Sequence, residues 1–407
     1  MPADPDAISG PDRGLLHLFC LSIIGLLLKQ LRVFDASVGP FELMALACAL
    51  VVLWQNTSGP MAGDVHFMRF TYIRVAAFLA GAAVSLMFFR EHFFLREVLA
   101  TLFIALQLVG WINLKSVDFS SKLALLRDYI GGYSLLVAAL ALLNLPFSHK
   151  LWYFDEYMGR LMGLSDNPNQ LAALTIAGLL MSAVLVQVRQ AISRRDLLFC
   201  AAMLVAGVLS KSMAFRLSVL IFLAVVGLLA TILHVRSEPS ARRTVRVVAL
   251  VLGIVLIIAS SLYGTQLLED LRELYQGGSG KGSVRVSYWQ SAMVEWLQSP
   301  LVGLGPGGHI RVDHTPELQE AHNIIIELLL SGGIVALLAF VVLLWRICAL
   351  VWQKQLYLVL AVLAALVAFG AFHTVLRHLT YWIVLHACVV MAYNTATVAP
   401  GVMRGQA

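Results

Sequence analysis

The chain has 407 residues, 60% hydrophobic and 13% charged, with a formal net charge of +6. Soluble domains carry about 25% charged residues, so a water-soluble globule is excluded. The pI near 9.1 reflects where the cations fall along a membrane topology and carries no argument for nucleic-acid binding.

In chain order, residues 1–14 (MPADPDAISGPDRG) read as a disordered cytoplasmic tail. Its Asp4 and Asp6 resemble a metal-binding pair of acids only superficially. Apolar runs near the roughly 20 residues that a span needs then recur to the end. Spans are predicted near Leu15–Phe34, Phe41–Trp54, Tyr72–Phe89, Leu95–Leu114, Tyr129–Pro146, Pro168–Val188, Leu197–Leu209, Met213–Leu233 and Val245–Tyr263. The first starts too late and runs too long for a cleaved signal peptide. Residues 264–322 are the one stretch large enough for an extramembrane subdomain, and three further spans follow near Asn323–Val351, Leu356–Phe372 and Thr380–Thr395. A short cytoplasmic tail, 396–407, ends the chain. The expected fold is an all-α polytopic membrane protein of about twelve transmembrane helices, nine within 15–263 and three within 323–395, with one larger, partly helical periplasmic loop. All five cysteines lie in apolar segments without paired spacing and read as packing residues.

The positive-inside rule sets the orientation. With both termini inside, the cytoplasmic loops hold fourteen cations, Arg69 and Arg74 among them, against five acids, a balance of +9, and the two tails add −1. The opposite side holds thirteen cations against fifteen acids, a balance of −2. Its remaining arginines are what an outward-facing site for an anionic ligand requires.

Between the fifth and sixth spans, Trp152, Tyr153, Phe154 and Tyr157 suit the headgroup layer. They read as an interfacial anchor or as a wall for a lipid-linked substrate, with Arg160 facing its phosphates. Ser165–Asn169 reads as a helix start with an N-cap and an early Pro, and the side chains of Asn167 and Asn169 could meet sugar hydroxyls. Within 264–322 an amphipathic helix is expected around Val286–Leu297. The Gly-rich turn PLVGLGPGG behind it lacks the GK[ST] ending of a phosphate-binding loop and reads as a tight turn back to the bilayer.

Ionisable groups are expensive in a bilayer, about 2.5–3.5 kcal/mol each at a helix centre, so their clustering here needs a reason. Topology brings Lys211, Arg216, Arg285 and His322 to the outer side at similar depth. Arg forks pair bidentately with phosphate oxygens. The helix start at Asn323 adds unpaired N–H groups and a positive dipole. That dipole and the arginines disfavour an imidazolium at His322, leaving a neutral base near pH 7, which Glu320 or Glu327 could orient. Helix capping alone is the rival reading of His322 and Asn323. His373, Arg377 and His378 occupy the last outer loop, where interfacial anchoring also accounts for them. With no other paired acids at metal-binding spacing in a plausible site, a metal-independent mechanism is expected.

Arg285, then Tyr288 and Trp289, Ser299 and Pro300, Gly303 and Gly305, and His322 with Asn323 resemble the membrane family of O-antigen ligases and Wzy-type O-antigen polymerases. The ligase-type signature, a His followed by Asn, Ser or Gln, nine residues and a Gly, matches His322, Asn323 and Gly333. Where the family often has Gly, Thr or Tyr three residues later, this chain has Ala336. The family's Ser-Arg pair is opened here into Ser212-Met213-Ala214-Phe215-Arg216.

The resemblance implies a GT-C-like glycosyltransferase of the Gram-negative inner membrane with a periplasmic site and no cofactor or nucleotide. Its partners would be a polysaccharide on undecaprenyl pyrophosphate as donor, lipid A–core oligosaccharide as acceptor, and the surrounding membrane lipids. His322 would deprotonate the acceptor hydroxyl for inverting attack, and Arg285 and Arg216 would stabilise the leaving pyrophosphate. Lys211, Arg160, Asn323, Trp289, Asn167, Asn169, Glu327 and Arg377 would hold pyrophosphate and glycan. Three other readings stay open. A polymerase shares donor and chemistry but takes a second lipid-linked glycan as acceptor. Protein O-oligosaccharyltransferases usually carry an extra C-terminal region. A lipid-linked glycan transporter should show internal repeats.

Overall fold

The computed structural model describes residues 10–25, 40–55, 61–115, 117–144, 159–165, 167–236, 281–307 and 320–395. Among them are twelve α-helices, a 3-10 turn at Arg90–His92 and no strand. The helices are α1 (Gly10–Gly25), α2 (Pro40–Gln55), α3 (Ala62–Phe88), α4 (Leu95–Asn113), α5 (Phe119–Asn144) and α6 (Pro168–Arg189). They continue with α7 (Arg194–Leu209), α8 (Met213–Arg236), α9 (Lys281–Trp296), α10 (Ile324–Gln353), α11 (Tyr357–Ala371) and α12 (Leu379–Asn394). Six of them, α3, α4, α5, α6, α8 and α10, are long and apolar enough to cross a membrane, and α1, α2, α11 and α12 are shorter apolar helices. The predicted span Val245–Tyr263, the aromatic segment 152–157, residues 264–280 and the expected C-terminal tail lie outside the described residues. Of the expected N-terminal tail, 10–14 form the first turn of α1.

Most predicted boundaries stand within a few residues, but α3 begins at Ala62 rather than Tyr72 and α5 at Phe119 rather than Tyr129. The added turns carry charges that a hydropathy reading assigns to loops. Ionisable groups inside a bundle face its interior and pair there. His386 Nε2 lies 2.8 Å from Asp64 Oδ1, with both side chains about 1% exposed. Arg74, placed by sequence in a cytoplasmic loop, is buried in α3 with its guanidinium carbon 3.8 Å from the Trp382 ring centroid, a cation–π geometry. Lys122 donates to the Trp111 carbonyl at 3.1 Å, and Arg127 pairs with Asp128 at 2.7 Å and with Asp196.

The helix α6 is enclosed by α5, α7, α8, α11 and α12, while α3 packs on α10 and α12. One end of the bundle is tied by Asn394 Oδ1 accepting from Gly63 N at 3.2 Å and by Lys354 donating to the Thr395 carbonyl at 2.6 Å. The opposite end holds the turns 89–94, 159–167, 210–212, 297–305, 320–323 and 372–378, and with them the polar residues of interest.

At that end α10 is broken at Gly333, with φ +62° and ψ −162°. The turn Ser299–Gly305 fills the break. Leu304 N donates to Leu330 O at 2.6 Å and Gly305 N to Ser331 O at 3.1 Å, while Ile334 N donates to Pro300 O at 3.0 Å and Val335 N to Leu301 O at 3.3 Å. The loop thus supplies the backbone partners that the broken helix lacks, as non-helical backbone at membrane depth must. Gly333 lies roughly 14 Å from the start of α10, so the Gly-rich turn enters the bundle as well as returning the chain. Its other side rests on α3, where Ser85 Oγ donates to Leu304 O and a Cβ on Gly81 would strike Gly305 N and Val302 O.

Candidate active site

His322 sits in a short link held from four sides. Its backbone is left-handed, φ +51°, a conformation non-glycine residues rarely adopt. The buried carboxylate of Glu327, one turn into α10, accepts from the backbone N–H of Ala321 and His322. Trp289 Nε1 donates to the Ala321 carbonyl at 2.9 Å. Thr374 Oγ1 lies 2.8 Å from His322 Nδ1. Asn323 is the N-cap of α10, its side chain accepting from Ile325 N at 2.9 Å and Ile326 N at 3.4 Å. The cap is therefore Asn323, and it takes up N–H groups that sequence leaves unpaired at this helix end.

Arg377, 40% exposed, bridges Glu97 at 2.8 Å and Glu320. Two carboxylates compensate its charge, so it ties α4 and the His322 link to the loop before α12. Glu320 is engaged there. Next to Thr374, His373 and His378 share a 3.1 Å contact between their Nε2 atoms. Among the described residues no group of three or more His, Cys, Asp or Glu side chains could hold a metal ion.

A second polar group lies at the same end. Arg160 Nε donates to Ser210 O at 2.9 Å and its Nη2 to Asn169 Oδ1 at 2.9 Å. Asn167 is the N-cap of α6 ahead of Pro168, accepting from Asn169 N at 2.8 Å, as the sequence pattern predicts. Lys211 is exposed with φ +51° in the turn before α8, and Arg216 is buried one turn into α8. The helix α11, which leads into the 372–378 loop carrying Thr374, packs against both α8 and α10.

Arg285 belongs to α9, and its side chain lies outside the described residues. The helical period puts it on the α9 face of Trp289, one turn away. That face packs on the start of α10 through Ala292, Ala321 and Leu330, with Tyr288, Trp289, Trp296 and Ile326 around them. Sequence reasoning missed Thr374, although its neighbour His373 stood among the candidates. Nothing in a lone Thr signals a partner that only the packing of α11 on α10 supplies.

The fold and this constellation define an all-helical membrane protein with a basic and imidazole-bearing site at one end of its bundle. A family model described as O-antigen ligase matches residues 131–341. The match covers more than half of the chain, from within α5 to within α10, and the chain belongs to this family. Members of the family are glycosyltransferase-like enzymes. No curated protein matches the chain. Arg160, Arg216, Arg285, His322 and Gly333 fall inside the matched stretch, whereas Thr374 and Arg377 fall outside it.

Proposed function

We propose that the protein is an O-antigen ligase of the Gram-negative inner membrane. It transfers a polysaccharide from undecaprenyl pyrophosphate to a sugar hydroxyl of lipid A–core on the periplasmic side. The observation that supports a base at this site is the hydrogen bond between His322 Nδ1 and Thr374 Oγ1. With Nδ1–H donating to the threonine oxygen, Nε2 carries the lone pair, and the left-handed backbone pinned by Glu327 sets the ring's direction. Nε2 takes the proton of the acceptor hydroxyl. That oxygen forms the new bond to the anomeric carbon from the face opposite the leaving group, and the bond from the anomeric carbon to the pyrophosphate oxygen breaks.

Negative charge grows on the departing pyrophosphate, and Arg216 and Arg285 meet it with fixed positive charge in a water-poor setting, where such stabilisation is strongest. The donor linkage supplies the energy, and a metal ion is not required for the leaving group. Arg160 and Lys211 contribute to binding the phosphates and the first sugars.

Deletion of the gene and electrophoresis of lipopolysaccharide test the assignment. Loss of every capped form with accumulation of long lipid-linked polymer is the result expected of a ligase. Core carrying a single repeat unit would assign the chain to polymerisation instead. Orientation is tested by an impermeant maleimide on Lys211→Cys, which should react in intact spheroplasts. Reaction only after lysis would put the site on the other side.

A further inference from the structure

Two arginines at the opposite end of the bundle take no part in this chemistry. Arg69 of α3 and Arg346 of α10 are both exposed, and neither makes an ion pair among the described residues. The two helices pack together with Phe70 and Phe340 in ring contact, 6.2 Å between centroids. Because they run in opposite directions, Arg346, roughly 9 Å beyond Phe340, falls near the level of His66, roughly 6 Å before Phe70. His66 lies within electrostatic reach of both Arg69 and Arg346 and stacks on Tyr393 of α12 at 4.1 Å.

Among the described residues no acid neutralises this face. Asp64 is the one acid of α3 and is buried against His386; Glu327 is the one acid of α10 and lies near its other end; α12 has none. Arg69 lies roughly 28 Å from the far end of α3 and Arg346 roughly 33 Å from the far end of α10. Hydrocarbon is about 30 Å thick, so both guanidinium groups reach the level of lipid headgroups. The aromatic side chains around them agree with that level. Trp345 is 69% exposed, and the exposed Tyr72 turns its hydroxyl back toward Met68, one turn nearer this end.

We propose that Arg69 and Arg346, flanked by Trp345 and Tyr72, form a binding site for the phosphate groups of an anionic phospholipid in the leaflet at this end. Guanidinium forks match phosphate oxygens in pairs. Two of them on adjoining helices, without a carboxylate between them, favour a lipid with two phosphates or two lipids with one each. An anionic headgroup supplies the counter-charge that the face lacks, and the acyl chains lie along the apolar surface of α3 and α10.

The test uses the full-length protein purified in a mild detergent. Native mass spectrometry after incubation with cardiolipin, phosphatidylglycerol or phosphatidylcholine should show cardiolipin and phosphatidylglycerol retained, and phosphatidylcholine not. The double variant Arg69→Gln/Arg346→Gln should lose that retention, whereas the charge-matched Arg189→Gln/Arg194→Gln should keep it. Equal retention by the first double variant would overturn the proposal. So would competition by inorganic phosphate as effective as that of the lipid, which would make the site a free-phosphate site. If the Gln variant fails to fold, the lipids that co-purify with the unaltered protein decide. Enrichment of anionic phospholipid over the host membrane is expected, and a composition equal to that membrane would overturn the proposal.

Discussion

His322 and Thr374 stand 52 residues apart in the chain, and His322 Nδ1 lies 2.8 Å from Thr374 Oγ1. In the proposed mechanism this contact keeps the proton on Nδ1 and leaves Nε2 as the base. Thr374→Val keeps the shape and removes the hydroxyl, so it should lower turnover by roughly 10–10²-fold, the worth of about 1–3 kcal/mol for one buried partner. Donor KM should change little. Thr374→Ser should retain most of the activity. Unaltered turnover in the Val variant would remove Thr374 from the mechanism.

For His322 itself, asparagine is the informative replacement. Alanine at φ +51° keeps the Cβ strain of the left-handed backbone, whereas asparagine tolerates that conformation. His322→Asn should therefore give folded protein with transfer reduced by roughly 10²–10⁴-fold, the usual worth of general-base catalysis. Since the cap is Asn323, Asn323→Ala should instead lower thermal stability by about 1 kcal/mol and leave turnover of the folded fraction nearly intact. A fully active His322→Asn enzyme would end the assignment of His322 as base.

Arg285→Ala should weaken donor binding and turnover together. Arg285→Lys should rescue only in part, because an ammonium cannot fork across two phosphate oxygens. The same assays should proceed in excess EDTA. A strict requirement for an added divalent ion would contradict leaving-group stabilisation by arginines alone.

Gly333→Ala should fail to accumulate as folded protein. Its left-handed φ alone costs alanine about 1–2 kcal/mol, and the added Cβ would strike the backbone of Leu301 in the inserted turn. Solubilised protein analysed by size exclusion should be aggregated or absent. A monodisperse variant with an unaltered melting temperature would mean that the α10 break is not required.

The other end of the bundle should show a pH dependence of stability through Asp196, in the first turn of α7. Partial burial alone would raise its pKa, but the Ser193 N–H at 2.8 Å and the Arg127 guanidinium more than offset this and hold it below the usual carboxylate value. A carboxyl with a lowered folded-state pKa stabilises above its unfolded value, about 3.9, and loses that contribution as pH falls through the folded value. Melting temperature should thus drop on acidification below roughly pH 4. Asp196→Asn should destabilise at pH 7 by about 1–3 kcal/mol and flatten the acid slope. An unchanged slope would assign the acid sensitivity to other groups.

How much of this was legible beforehand differs by residue. The starts of α4, α6 and α8 follow from hydropathy, and the α6 cap from the Asn167-Pro168 pattern, because both signals are local. The pairing of His322 with Asn323 and Gly333 is a local spacing too, and it pointed to the family. The early starts of α3 and α5 were not legible, since Asp64, Lys122 and Arg127 look like loop charges until His386, Trp111 and Asp196 are brought beside them. Arg377 was legible as a cation of the last outer loop, but its pairing with Glu97 and Glu320 was not.

By itself the sequence determined an all-helical membrane chain and the family signature. These rest on composition and on spacing along one helix, which the chain carries wherever it folds. Tertiary structure alone decided that Thr374 meets His322, that Trp289 and Glu327 hold the link, and that the 299–305 turn mends the break at Gly333. Apart from that of Glu327, each of those contacts joins residues distant in the chain, and a hydrogen-bond donor finds its acceptor only once the helices that carry them have packed.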